Sequence, residues 1–387
     1  MYSIIALDDK ALAALVALPE YDANLSVKWN TELRKQGFTP NTVVEILTQA
    51  RLRSAAFTKF GSDADKFLYT QTALEQASRA ELAVIHAKRF ITADNKKVVD
   101  LGCGIGADSI AFAKSGLAVT GVEIDEVTAQ YARYNLAHYP NTKVVVSDAT
   151  KYQIPVESGV WLDPARRYGN SRIFNPKQFS PDLDFVFELA KRYSTGVKLG
   201  PGLAHAYIPE NCEAQWLSDN GAVVELCLWF NELKSNNRRS ALLIKDNQQY
   251  EIGTTADFDE VPEIPLVEIK DYLYEVDGAL LRAGLLNEFA VKHDLAQFDK
   301  TIAYLTSDSE VISPWVQKYH VIEVLPYKIK VLKKYLKTHD IGVLNIKKRG
   351  IKETPEQLRK LLKPKGANKA TFIVTRAQGK RIVMVVK

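Results

Sequence analysis

The eleven residues Val98-Val99-Asp100-Leu101-Gly102-Cys103-Gly104-Ile105-Gly106-Ala107-Asp108 constrain this 387-residue chain more than any other stretch. A short β-branched run stops at glycines on alternate positions and leads into a helical segment. Glycine permits a tight turn and lets a ligand lie against bare backbone. The helix N-terminus that follows favours negatively charged ligand groups. From about Lys96 short apolar strands alternate with helical segments, which predicts a parallel sheet with helices on both faces. Strands are expected near 97–101, 118–122, 143–147, 159–162, 194–199, 222–230 and 239–245. The last two, joined by polar residues around 231–239, are expected as an antiparallel pair at the sheet edge.

A ligand with ribose hydroxyls needs an acidic residue after the next strand. Val119-Thr120-Gly121-Val122-Glu123 supplies one, and Glu123 is preferred over Asp125 because it directly ends the strand. Gly102, Gly104 and Ala107 also satisfy the relaxed dinucleotide fingerprint, so glycine spacing alone discriminates little. Asp100 discriminates better. A carboxylate two residues before the first glycine is a poor neighbour for a pyrophosphate and a good one for a cationic amino-acid group. Cys103, inside the turn, reads as structural.

Asp-Leu-Gly-Cys-Gly-Ile-Gly followed by Gly-Val-Glu resembles motifs I and II of class I S-adenosylmethionine-dependent methyltransferases. The resemblance implies a Rossmann-like α/β sheet binding S-adenosylmethionine. It places Asp100 near the methionine amino group, Gly102, Gly104 and Gly106 under the cofactor, and Glu123 at the ribose. Asp148 matches the acidic position that meets the adenine amine.

Val160-Trp161-Leu162-Asp163-Pro164-Ala165-Arg166-Arg167 follows the fourth expected strand. It resembles the D/N-P-P-aromatic motif of amino-methyltransferases, in which an acidic or amide oxygen accepts a hydrogen bond from the target amine. The chemical need is positioning, because a sulfonium is already electrophilic. Asp163 is the candidate for that role or for a base. Ala165 replaces the second proline, and Arg166 stands where the motif has its aromatic. Stacking on a base then falls to the Arg166 guanidinium or to Tyr168; alternatively Arg166 and Arg167 bind phosphate. No cysteine lies near this loop to serve as a nucleophile for carbon methylation, so nitrogen is favoured as the acceptor, with oxygen second.

Further segments resemble a narrower family, bacterial methyltransferases with a C-terminal THUMP-like domain. They are Lys59-Phe60-Gly61, the run Thr70 to Arg79 containing Leu74-Glu75-Gln76-Ala77-Ser78-Arg79, the Asp163–Arg167 segment, Val197-Lys198-Leu199-Gly200-Pro201-Gly202, and Ile346-Lys347-Lys348-Arg349-Gly350. The label implies RNA binding. Gln76 or Arg79 is expected to reach cofactor or substrate, the alternative being a helix-capping network. Lys198, after the fifth strand, either contacts substrate or snorkels.

Charge supports the same division. Residues 311–387 hold 19 Lys+Arg and 4 Asp+Glu, a net of +15, while the rest of the chain nets −10; the total of +5 hides the split. A basic unit this dense is an electrostatic footprint for a polyanion. Four regions are expected: a helical stretch at 1–92, the methyltransferase domain at 93–250, a small connecting domain at 251–310, and a basic THUMP-like α+β unit at 311–387. Asn41 is expected to cap a helix to about Ala55, and Leu74–Phe90 to form one amphipathic run. In the basic unit, strands are expected at 320–327, 341–346, 371–375 and 381–386, with helices from Pro326 to Leu336 and from Pro355 to Leu362.

No apolar run reaches the ~18 residues of a membrane span, and Asp8 and Asp9 precede Ala11–Leu18 where a signal peptide carries Lys or Arg. The three scattered cysteines and six histidines form no readable metal site. The expectation is a cytoplasmic, metal-independent enzyme with no membrane partner and an oligomeric state not readable from sequence. It methylates a nitrogen of structured RNA, with Lys347, Lys348 and Arg349 among the phosphate contacts. Two alternatives are a methyltransferase of a small molecule or protein, and a cofactor-binding RNA module without catalysis.

Overall fold

The computed structural model describes residues 7–165 and 178–387, with the backbone of two short strands at Arg167–Tyr168 and Ser171–Arg172. The chain divides into two compact units. The first comprises Met1–Leu199, Ala206–Cys212 and Cys227–Ser235; the second comprises Gly200–His205, Glu213–Leu226 and Asn236–Lys387.

The first unit opens with helices α1 (Asp9–Ala17), α2 (Ser26–Lys35), α3 (Pro40–Phe60), α4 (Gln71–Gln76) and α5 (Ala80–Thr92). Helix α3 begins at Pro40, not at Asn41. Thr39 is its cap, accepting from the Thr42 amide at 3.2 Å, and proline suits the first helical position because it has no amide hydrogen to satisfy. The expected single run Leu74–Phe90 is two helices broken at Ala77–Arg79. Lys59 reaches over from α3 and donates to the carbonyls of Leu74, Glu75 and Ala77 at 2.7, 2.9 and 2.8 Å. Its ammonium satisfies orphan acceptors at the end of α4 and ties down the break between the two helices.

A Rossmann-like sheet follows: β1 (Lys97–Leu101), α6 (Ala107–Lys114), β2 (Ala118–Glu123), α7 (Glu126–Leu136), β3 (Thr142–Val146) and β4 (Gly159–Leu162). Then come the two-residue β5 (Arg167–Tyr168) and β6 (Ser171–Arg172), α8 (Leu183–Ala190) and β7 (Thr195–Leu199). The order β7-β4-β1-β2-β3 is parallel throughout. It reverses between β1 and β4, and in such sheets ligands bind outside the carboxyl ends of the strands at that reversal. The register sets Asp100 beside Gly121 of β2 and Trp161 of β4. Val98 to Leu101, Val160 to Leu162 and all of β7 are buried, as expected of strands covered on both faces.

The second unit contains most of β8 (Cys212–Asp219) and the start of β9 (Ala222–Phe230), turned by Asn220-Gly221 at positive φ (48° and 85°). It continues with β10 (Arg239–Lys245) and β11 (Gln248–Thr254). The expected antiparallel pairing of 222–230 with 239–245 is not formed. β10 pairs in parallel with β8 and antiparallel with β11, because the tight turn lies at Asp246-Asn247, again both at positive φ. Arg239 is fully buried and donates to carbonyls of Ala256, Glu260, Ala283 and Gly284 and to Glu288.

The remaining elements are β12 (Tyr272–Val276), α9 (Gly278–Arg282), α10 (Leu286–Lys292), β13 (Tyr304–Ser307), β14 (Val316–Pro326), α11 (Ile329–Thr338), β15 (Ile341–Lys348), α12 (Pro355–Leu362), β16 (Asn368–Ala377) and β17 (Lys380–Val386). They form a six-stranded sheet in the order β13-β12-β14-β17-β16-β15. Two of its strands, β12 and β13, come from the 251–310 stretch. Side chains alternate cleanly across it. Phe372, Val374, Val383 and Val385 face a core shared with Leu332 and Leu336 of α11 and Leu358 and Leu362 of α12. Ile373, Met384 and Val386 face the opposite core with Leu273, Phe298 and Tyr304. Pro326 ends β14 where it pairs with Ile382, so the helix opens at Ile329. Thr354 and Gln357 form a capping box at α12. Among the described residues no helix is long and apolar enough to cross a membrane.

Candidate active site

The glycine loop leaves β1 with Gly102, Gly104 and Gly106 at φ 81°, 57° and 89°, conformations costly to any residue with a Cβ. A Cβ on Gly102 or Gly104 would meet no other atom within 4 Å, so the loop presents open backbone. It is tied down from below. The amides of Gly102 and Cys103 donate to the Val122 carbonyl at 2.8 and 3.0 Å, and Asn135 of α7 donates to the Ile105 carbonyl at 3.0 Å. Glu123 accepts from the Gly104 amide at 3.0 Å through Oε2 and from the Asp125 amide at 2.9 Å through Oε1. Asp125 itself caps α7, accepting from Thr128, which leaves Glu123 as the strand-end acid beside the loop. Cys103 packs where a Cβ on Gly121 would stand 2.8 Å from its sulfur. Burial raises its thiol well above the usual range, consistent with a structural role.

Around the carboxyl ends of β1, β4 and β7 the sequence brings together a buried charged network. Asp100, 2% exposed, accepts from Ser109 Oγ at 2.5 Å. Burial and the neighbouring Asp108 charge push its carboxyl up to about 8. Asp108, on the first turn of α6, accepts from Ser78 Oγ at 2.8 Å and pairs with His86 Nδ1 at 2.7 Å. Burial opposes its ionisation, but Lys198, His86 and the two hydrogen bonds outweigh it and hold the carboxyl at about 2. Lys198, at the end of β7, places its ammonium 2.6 Å from Ser78 Oγ and 2.5 Å from Asp163 Oδ2. His86 lies against Trp161 with ring centroids 4.3 Å apart.

Asp100, Asp163 and Lys198 were legible from sequence and share this network. Ser78, His86, Asp108 and Ser109 were not singled out. Ser78 and His86 flank the start of α5, and only the fold shows that Asp108 turns back toward them.

The other candidates are placed less centrally. Asp148 turns on itself, accepting from the amide and hydroxyl of Thr150 at 2.9 and 2.7 Å. Gln76 is exposed at the end of α4; the buried member of that segment is Ser78. Arg166 lies outside the described residues, as do the side chains of Arg167 and Tyr168. In the second unit the Lys347-Lys348-Arg349 triplet is engaged internally. Lys347 donates to Glu275 at 2.6 Å, Lys348 to the carbonyls of Ile351 and Lys352, and Arg349 to the Ala303 carbonyl at 2.7 Å, over the Tyr304 ring. Lys347 and Arg349 are half-buried by these contacts, while Lys348 is exposed.

The open glycine cradle, the buried carboxylate of Asp100 and the strand-end Glu123 fit S-adenosylmethionine. Asp100 would face its cationic amino-acid part and Glu123 its ribose hydroxyls. Comparison with known proteins agrees. Residues 98–160 match a family described as a methyltransferase domain and residues 316–387 one described as THUMP domain-like. Two strains of Mycobacterium tuberculosis, CDC 1551 and H37Rv, each carry an uncharacterized S-adenosylmethionine-dependent methyltransferase 29% identical over 315 residues, covering 80% of this chain and 85% of the relative. A crystal structure from Porphyromonas gingivalis W83, of a protein assigned as a methyltransferase, superposes at a TM-score of 0.75 with 20% identity, covering 98% of this chain and 99% of that one. The chain is thus an S-adenosylmethionine-dependent methyltransferase that carries a C-terminal THUMP-like domain.

Proposed function

We propose that this enzyme methylates a nitrogen of structured RNA held by the basic THUMP-like domain. The observation that carries the acceptor half is the Lys198–Asp163 contact at 2.5 Å. An aspartate beside an ammonium is an ionised hydrogen-bond acceptor, which suits an N–H on the substrate. When bound, S-adenosylmethionine supplies a methyl group on an electrophilic sulfonium. The chain's own work is then to bind and orient. Asp163 accepts from the target amine, Asp100 offers a buried carboxyl that ionises beside the cofactor's cation, and Glu123 and Asp148 offer acceptors for hydroxyls and the adenine amine.

The RNA half rests on the THUMP-like match and on where cations are exposed. Leu332 and Leu336 turn one face of α11 into the core. Lys330, Lys333, Lys334 and Lys337 stand exposed along the same helix, and Lys360, Lys363, Lys365 and Lys369 stand exposed on and after α12. Together with the +15 of residues 311–387 this is a surface for phosphate. Arg167 remains a candidate phosphate contact near the acceptor, as Arg166 does for stacking.

The test is mass spectrometry of modified nucleosides from cells lacking the protein. A methylated nucleoside is expected to disappear from one RNA class and to return when the purified enzyme and S-adenosylmethionine are added to that RNA. If no RNA class changes, the RNA reading fails and a small-molecule or protein substrate takes its place.

A further inference from the structure

Lys198 stands at the hinge of the buried network, and its contacts argue against direct use on substrate. Its side chain is 10% exposed, and its ammonium is spent on Asp163 and Ser78 within the protein. We propose that Lys198 is a positioning residue that holds Asp163 ionised and aimed, anchored through Ser78 to the Asp108–His86 pair. This rests on the reading of Asp163 as acceptor for the target amine.

The electrostatics require such a residue. Asp163 follows β4 and is about one-third exposed, with a side-chain value of 31%. It feels the carboxyl of Asp100 on β1, and the carboxylate of Asp108 on α6 lies beyond Lys198 and Ser78. A neighbouring like charge favours protonation; Asp100, raised first by burial and then by the charges of Asp108 and Asp163, keeps its proton up to about 8. A protonated Asp163 would present an O–H donor to the amine where an acceptor is needed. Lys198 on β7 is in direct contact with Asp163, and His86 on α5, Lys59 on α3 and Arg79 just before α5 are further cations of this region. A lysine ammonium is a compact charge with three donors, so it can serve Asp163 and Ser78 together. Ser78 passes the anchor on, 2.8 Å from Asp108, which His86 holds at 2.7 Å from the other side. Four separate segments thereby fix one carboxylate, a condition for catalytic geometry held within tenths of an ångström.

The test uses the full chain with Lys198→Met, Lys198→Arg and Asp163→Asn. The first readout needs no substrate: a carbon-13 NMR titration of labelled aspartate carboxyls, with Asp163 identified by its loss in Asp163→Asn. In Lys198→Met its titration is expected to move to higher pH than in the wild type, and Lys198→Arg is expected to bring it back. An Asp163 titration unchanged in Lys198→Met overturns the proposal. Should Lys198→Met fail to fold, Lys198→Gln keeps a hydrogen-bond donor without the charge and carries the same expectation. The second readout is turnover on the RNA substrate. There kcat is expected to fall about 100-fold in Lys198→Met, with KM within about threefold and the acid limb of the pH profile moved to higher pH. A fall in cofactor affinity with an unmoved pH profile would make Lys198 merely structural. If the NMR result holds while no RNA is methylated, the assignment of Lys198 stands and the RNA reading falls.

Discussion

At the scale of single residues, two neighbouring aspartates have opposite linkage to pH. Asp100, raised to about 8 by burial and by Asp108, binds its proton more tightly folded than unfolded. Its contribution favours the fold below about 4 and is withdrawn as pH rises toward 8. Asp108, held at about 2 by Lys198 and His86 against its own burial, contributes stability above the usual carboxylate range and loses it as pH falls toward 2. Asp100→Asn is therefore expected to raise the melting temperature of the cofactor-free protein at pH 8.5 and to have little effect at pH 5, as thermal melts at the two values will show. The same carboxylate should report the cofactor. A cation placed beside Asp100 draws its proton off, so binding S-adenosylmethionine at pH 7 is expected to release roughly one proton. Calorimetry in buffers of different ionisation enthalpy measures this, and Asp100→Asn should abolish both the release and most of the affinity.

At the scale of elements, the segment between α4 and α5 is where sequence periodicity and structure part. Apolar spacing carries on from Leu74 to Phe90, so pattern alone reads one helix. The break is made by a residue far back in the chain, Lys59, whose ammonium occupies the carbonyls of Leu74, Glu75 and Ala77. Burial and the nearby charges of Lys198 and Arg79 lower its pKa, yet the three acceptors hold it there. Lys59→Met is expected to cost about 2 kcal/mol, the scale of lost charged hydrogen bonds to backbone. Faster hydrogen exchange confined to residues near 77–82 would locate the effect. The same contrast explains what was legible elsewhere. Parallel strands β1 to β4 and β7 were readable because each is a short buried run with its own turn signal, and Asp100, Glu123 and Asp163 stood out as candidates because they lie at or just past the ends of such runs. Strands β8 and β11 were missed although Asn220-Gly221 and Asp246-Asn247 are strong hairpin signals. Both positions adopt positive φ, and weighing those turns above the polar run at 231–239 recovers the pairing. Ser78, His86 and Asp108 were not legible, since their meaning lies in side chains that meet only after folding.

At the scale of the whole molecule, the charge division acquires a more specific location. The strongest basic cluster in the sequence, Lys347-Lys348-Arg349, holds the six-stranded sheet to its own loops and to Glu275. The sheet itself draws β12 and β13 from outside the most basic stretch, so a fragment starting at 311 lacks two of its strands and part of one core. Phosphate binding is therefore best tested in the full chain, by reversing Lys330, Lys333, Lys334 and Lys337 to glutamate. These side chains are exposed on α11, opposite its core-facing Leu332 and Leu336, so the fold should survive and the melting temperature should stay near the wild type. Each phosphate contact contributes roughly 0.7 to 0.9 to the slope of log affinity against log salt. If all four lysines meet phosphate, the slope is expected to become shallower by about 3, measured by fluorescence anisotropy of labelled RNA across a salt series. Lys347→Met should behave differently, lowering stability through the loss of its Glu275 contact while leaving the salt slope of the folded protein nearly unchanged. An unaltered slope in the α11 variant would move the RNA face to the cations on and after α12. An unaltered slope in both helices would remove the electrostatic basis for RNA capture by this domain.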